Sequence, residues 1–287
     1  MFRRLVFAFA FLLTVLVPVG RADDQFFDSN GVRIRYVVEG KGEPVLLIHG
    51  FTGSVEGNWK SPGMIQKLSN DYQVIALDNR GHGKSDKPHD PKQYGTEMVE
   101  DAVRLLDHLK IPKAHIVGYS MGAVITAKLL ATHPDRCLTA TMGGHGGLRE
   151  GDDVSFYGRL ADSLDQGKGF GPLIERLTPP GRPKPTEDQI KIINAMLLSM
   201  NDAKALAGVA RGLKDLAVSW DQLKANQVPT LALIGDQDPL KESVDGLKGK
   251  MASLTIIVIE GADHRSAPGR PEFAKALLEF LTAHRAK

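Results

Sequence analysis

Seven short apolar runs, most of them stopped by a glycine or an acidic residue, set the architecture of this chain. They occupy 32–38, 45–48, 74–77, 116–117, 138–142, 230–234 and 254–259. The first follows the turn signal Ser29-Asn30-Gly31. The others end at His49-Gly50, Asp78, Gly118, Gly143-Gly144, Gly235 and Glu260-Gly261. Short continuous apolar runs with such stops are the pattern of strands buried on both faces of a parallel sheet. Helical periodicity fills several of the gaps, at 59–68, 97–109, 121–132 and 271–284. This alternation predicts an α/β protein with a mostly parallel, twisted, open sheet, helices on both faces and right-handed connections. A chain of 287 residues suits one large domain or one with an inserted piece. No internal repeat or low-complexity tract argues for a solenoid or a fibrous chain.

One interval departs from the rhythm. From about 146 to 227 no parallel strand is indicated. Helical patches lie at 155–165, 173–177, 186–200, 203–213 and 218–224. The segment from Thr178 to Pro185 contains Pro179, Pro180, Pro183 and Pro185, and proline lacks the N–H and clashes within a helix interior. We therefore expect an α/β core of residues 23–145 and 228–287, with 146–227 inserted as a helical cap over a pocket. Surface helices without a lid role are the alternative.

The first 22 residues stand apart. Arg3 and Arg4 precede a nearly unbroken apolar run at 5–19, and Gly20-Arg21-Ala22 places small residues three and one before a break. This is a secretory signal pattern with cleavage after Ala22. The run is shorter than the ~20 residues of a membrane-spanning helix. The expectation is a periplasmic or extracellular protein with no stable membrane span after processing; an uncleaved anchor is the alternative. Removing Arg3, Arg4 and Arg21 takes Lys plus Arg from 36 to 33 against 34 acids, so a formal +2 becomes −1. Such a chain has no global basic field for nucleic acid. Cys137 is the only cysteine, so no internal disulfide forms, and a buried apolar role is expected.

Gly118-Tyr119-Ser120-Met121-Gly122 follows an apolar strand and opens a helix. That context is required of a nucleophile elbow, in which the serine sits on a strained strand-to-helix turn. Glycine is needed two before and two after because side chains there would collide. The helix N-terminus beneath the serine favours developing negative charge. A serine capping an ordinary helix is the bland reading.

The segment Leu46 to Gly53 is a strand ending in His49-Gly50-Phe51. With the Ser120 turn, it makes nearly all of 25–285 resemble the α/β-hydrolase superfamily, as a cap-bearing serine hydrolase. The resemblance implies that the backbone N–H groups of Phe51 and Met121 form an oxyanion hole, and that His49 orients the loop. The Asp78-Asn79-Arg80-Gly81-His82-Gly83-Lys84-Ser85-Asp86 stretch resembles the family's loop after the next strand, with Asp78 and Arg80 as scaffold. It lacks a P-loop ending and a dinucleotide fingerprint. A serine hydroxyl needs a histidine base, and that base a carboxylate to fix its tautomer. The family order is Ser, acid, His. Its Gly-x-x-Asp pattern in Gly235-Asp236-Gln237-Asp238 selects Asp238 as the acid, with Asp236 shaping the turn. His264, after the last strand, is the base. Asp263 stands where the family usually has glycine, whose backbone tolerates angles that Asp adopts less readily.

These parts predict hydrolysis of a small-molecule carboxylic ester through an acyl-enzyme. No metal or organic cofactor is called for, since neither H-E-x-x-H nor paired-cysteine spacing occurs. By the resemblance, a serine nucleophile argues against haloalkane dehalogenases and epoxide hydrolases, whose members use Asp there. A lactonase or a hydrolase of a C–C bond beside a carbonyl is the alternative, and a ligand-binding protein on a hydrolase fold is the non-enzymatic one. Export disfavours a cytosolic thioesterase, and also a C–C hydrolase serving cytosolic catabolism. Phe156, Tyr157, Phe170, Leu173, Met196, Leu197 and Met200 of the cap are candidates for an apolar acyl pocket, most of them for simple helix packing. His145, in Gly143-Gly144-His145-Gly146-Gly147, faces the site by topology and is a candidate substrate contact.

Overall fold

The computed structural model describes residues 23–285; the expected signal peptide at 1–22 lies outside them. One eight-stranded sheet forms the centre. Its strands are β1 (Gln25–Ser29), β2 (Val32–Glu39), β3 (Glu43–Ile48), β4 (Tyr72–Leu77), β5 (Ala114–Tyr119), β6 (Cys137–Gly143), β7 (Thr230–Gly235) and β8 (Leu254–Ile259). Their spatial order is β1-β2-β4-β3-β5-β6-β7-β8. From β4 across to β8 all neighbours are parallel, while β1–β2 and β2–β4 are antiparallel. All seven apolar runs are strands. β1 lacks such a run and is held by the hairpin: Asn30 and Gly31 take φ of 58° and 82°, as a two-residue type I′ turn requires.

Successive side chains of a strand point to opposite faces. Accordingly Leu46 and Ile48 join one apolar core with α2 (below), and Val45 and Leu47 join the other. Among the described residues the α-helices are α1 (Met64–Leu68), α2 (Glu97–His108), α3 (Met121–Thr132), α4 (Ser155–Asp165), α5 (Gly171–Arg176), α6 (Glu187–Met200), α7 (Ala203–Gly212), α8 (Trp220–Ala225), α9 (Lys241–Asp245) and α10 (Pro271–Ala283). α2 and α3 cover the first face, α1 and α10 the second. Two expectations need correction. The helix predicted across 59–68 is split into a π-helical turn, Glu56–Lys60, and α1. Pro62 cannot donate to a continuing helix, and Gly63 turns the chain with φ of 74°. β8 is not buried on both faces: Val258 is 44% exposed, because the strand is the sheet's edge.

Helices α4 to α8 all lie between β6 and β7. The one strand-like pairing recorded among the described residues of that stretch is an isolated bridge between Arg149 and Val218. The proline-rich segment is outside any helix, and α6 begins just after it with a reciprocal Thr186–Gln189 capping box. The chain leaves β3 toward β4 on one side and later runs from β5 toward β6 on the other. The carboxyl ends of β3 and β5 therefore flank a topological switch point, where open α/β sheets leave a crevice for ligands. Both the His49-Gly50-Phe51 segment and Ser120 emerge there.

Candidate active site

Ser120 joins β5 to α3 with φ of 55° and ψ of −113°. A non-glycine residue rarely adopts this conformation, and the surrounding structure must hold it. The Ser120 N–H donates to the Gly143 carbonyl at 2.7 Å. A Cβ on Gly118 would lie 2.0 Å from the Gly122 carbonyl oxygen. One on Gly122 would lie 2.0 Å from that of Ile48. The first glycine thus lets the turn close on itself, and the second lets α3 touch the end of β3. Gly50 is packed against the nucleophile: a Cβ there would meet the Ser120 Cβ at 3.1 Å.

His264 brings the distant parts together. Its Nε2 lies 2.9 Å from Ser120 Oγ, and its Nδ1 lies 2.8 Å from Asp238 Oδ2. Asp238 is 2% exposed, and its other oxygen accepts the Leu240 N–H at 2.8 Å. Asp236 is exposed, outside this arrangement. Asp263 has no left-handed backbone angle; Gly261 takes the positive φ instead. Its carboxylate accepts from the Arg265 and Ser266 N–H groups and the Ser266 hydroxyl, at 3.1, 2.9 and 2.8 Å. It organises the turn that presents His264, so the departure from glycine leaves that loop intact.

Phe51 and Met121, with their backbone N–H groups, both border the cavity at Ser120. Neither meets an acceptor among the described residues, as expected for a loop and a first helical turn left to bind an anion. His49 is a scaffold. Its Nδ1 donates to the Gly50 carbonyl at 2.8 Å, and its Nε2 accepts the Asn79 N–H at 2.9 Å. Burial pushes its pKa down to about 4. Asp78 accepts the Val55 and Lys84 N–H groups at 2.8 and 2.9 Å. Arg80 is clamped by Asp101 through two bonds of 2.6 Å. Cys137 is buried, and burial raises its thiol to about 12, so it is a small apolar residue at neutral pH.

A cavity of about 340 Å³ opens on Ser120 and His264. Phe156, Tyr157, Leu173, Met196 and Leu197 line it, so the insertion supplies much of its apolar wall. Phe170 is buried against Phe51, with ring centroids 6.5 Å apart, and Met200 faces solvent. His145 lines the cavity too. It is 5% exposed, and its Nδ1 has no hydrogen-bond partner among the described residues. Burial, reinforced by the positive charges of His264 and nearby arginines, pushes its pKa to about 3. It is therefore a neutral ring in the cavity wall with one buried nitrogen unpaired among the described residues.

Tyr119 has no counterpart in the sequence reading. Its hydroxyl donates to the His264 carbonyl at 2.7 Å, and its ring lies against the imidazole. The signal was its position, next to the nucleophile on a buried strand. Arg176 and Arg265 also line the cavity, and nothing in the local sequence marked them.

Comparisons with known proteins agree with the fold. The pattern described as the alpha/beta hydrolase fold matches residues 43–152. The chain is 35% identical, over 90% of its length and 91% of the other, to 2-hydroxy-6-oxo-6-(2'-aminophenyl)hexa-2,4-dienoic acid hydrolase of Metapseudomonas resinovorans. It is 37% identical over 158 residues to the dihydrolipoyllysine-residue acetyltransferase component of the acetoin cleaving system of Cupriavidus necator. That match takes in 53% of this chain and spans only 40% of the relative's length. Among solved structures, a thermophilic esterase from Thermogutta terrifontis superposes with a TM-score of 0.74 at 24% identity, covering 93% of this chain and all of the other.

Proposed function

The chain belongs to the α/β-hydrolase family, and on that premise we propose that it is a serine hydrolase cleaving carboxylic esters through Ser120, His264 and Asp238. One observation carries the reading: a single imidazole bridges a serine hydroxyl and a buried carboxylate at 2.9 and 2.8 Å. Ser120 Oγ attacks the acyl carbonyl as His264 Nε2 takes its proton. Asp238 holds the ring so that Nδ1 carries the other proton, and it stabilises the imidazolium that forms. The Phe51 and Met121 N–H groups bind the oxyanion, a donor of this kind being worth about 2.7–4 kcal/mol of barrier. His264 then protonates the leaving alcohol, and water attacks the acyl-enzyme by the same route in reverse. Helices α4 to α8 act as the cap over this site. The pattern of residues 1–22 supports an exported enzyme, and a mature N-terminus at Asp23 in the exported fraction would establish it.

A fluorophosphonate probe and a graded series of p-nitrophenyl esters test the proposal. Labelling at Ser120 and ester turnover are expected, and Ser120→Ala and His264→Ala should each lower kcat by at least three orders of magnitude, roughly as loss of a triad member does elsewhere. A folded protein that neither labels nor turns over ester is a binding protein. The 35% identical relative favours a second reading, cleavage of a C–C bond beside a carbonyl. A vinylogous diketone and a set of lactones assayed alongside decide between these: kcat/KM for either above that of every ester would replace the ester reading.

A further inference from the structure

We propose that this cavity selects esters carrying a carboxylate remote from the scissile carbonyl, recognised by Arg176 and Arg265. The inference rests on the ester-hydrolase reading and adds the substrate's charge. Among the described residues, three arginines have neither an ion pair nor a side-chain hydrogen bond: Arg33, Arg176 and Arg265. Two of these three line the cavity. Its other lining residues include no Asp or Glu, so the charge of these guanidiniums is not neutralised within the site. Both side chains belong to exposed residues and so stand where the cavity meets solvent, with Ser120 and the neutral His145 further in.

Arg176 is also held in place. It ends α5, and its guanidinium lies over the ring of cavity-lining Phe156, 4.3 Å from the centroid. This stacking fixes the plane of the group while leaving its N–H edge unused. A fork of N–H donors fixed in this way matches a carboxylate in two parallel bonds. Asp153 feels the charge of Arg176 but is exposed and makes no ion pair with it. Asp263, two residues before Arg265, spends Oδ1 on its own turn, and its Oδ2 lies 4.0 Å from Arg182. The cavity that holds the arginines and Ser120 is lined largely by apolar side chains, Phe156, Leu160, Leu173 and Leu197 among them. The matching substrate is an ester with a short apolar spacer between its carbonyl and a terminal anion.

The test compares p-nitrophenyl hexanoate with mono-p-nitrophenyl adipate, which differ in the terminal charge, after subtracting uncatalysed hydrolysis. We expect the adipate ester to have the higher kcat/KM by roughly tenfold, the worth of one partly solvated charge-assisted pair, expressed in KM. The adipate-to-hexanoate ratio should fall toward one in Arg176→Met and at high salt. Arg33→Met, an unpartnered arginine far from the cavity, should keep it. A ratio at or below one in the wild-type enzyme overturns the proposal, as does an equal loss for both esters in Arg176→Met. Hexanoate turnover and fluorophosphonate labelling report the hydrolase reading separately. Calorimetry on Ser120→Ala with 6-phenylhexanoate against 6-phenylhexan-1-ol reads the anion site without turnover: tighter binding of the acid supports it, and equal binding refutes it.

Discussion

Ser120 is where the local physics is least comfortable. Its positive φ is unfavourable for a serine, yet it lifts Oγ off the end of β5 into the reach of His264. Two glycines make that geometry possible for two different reasons: Gly118 admits the Gly122 carbonyl, and Gly122 admits the end of β3. Tyr119 supports the other side of the pair, bonded to the His264 backbone with its ring tilted against the imidazole. Tyr119→Phe keeps the ring and removes one buried hydrogen bond, worth about 1 kcal/mol. We expect kcat to fall severalfold with KM little changed and a small loss of thermal stability. Unchanged kcat with lowered stability would make Tyr119 purely structural.

Among the elements, α2 and the loop after β4 are tied by charge as well as by apolar contact. Asp101, on α2 and 1% exposed, receives both faces of the Arg80 fork and lies beside Ser29 at the end of β1. Removing one partner of a buried pair leaves the other charge stranded, a cost of about 3–5 kcal/mol. Asp101→Ala should lose that much in urea unfolding; a loss below about 1 kcal/mol would show that Glu97, 3.6 Å from Arg80, takes over the charge. The inserted helices are built differently. α6 has no buried residue, and its half-buried Ile190, Ile193 and Leu197 recur at helical spacing. Ile193 and Leu197 border the cavity, so this helix is attached mainly through the wall it provides.

For the molecule as a whole, four buried histidines make stability depend on acid, and burial lowers the pKa of His115 among them. His49, His82 and His145 have pKa values pushed down by burial to about 4, 3 and 3 from the ordinary 6.5. The unfolded chain binds protons that the folded one refuses, so the stability these rings carry is intact above about pH 6.5. It declines as pH falls toward 3–4, by up to about 1.4 kcal/mol per pH unit for each ring. Urea midpoints measured from pH 8 to 5 should be level above about 6.5 and fall below it, less steeply in His82→Asn; a flat profile would show that the rings accept protons in place. The sequence alone determined seven of the eight strands, their order along the chain and the elbow at Ser120, and its resemblance to the family selected Asp238 over Asp236. Each of these is written in a short window, as apolar runs, glycine stops and motif spacing. Only the tertiary structure decided the split of the first helix, the exposed face of β8, the contacts of Tyr119 with His264, and the placement of Arg176 and Arg265 on the cavity. Whether a strand is an edge, or an arginine lacks a partner, depends on residues far apart in the chain. His264 lies 144 residues from Ser120, and sequence could name both of them, but their meeting at 2.9 Å is set by the packing of β5 and β8 in one sheet and the loops those strands carry.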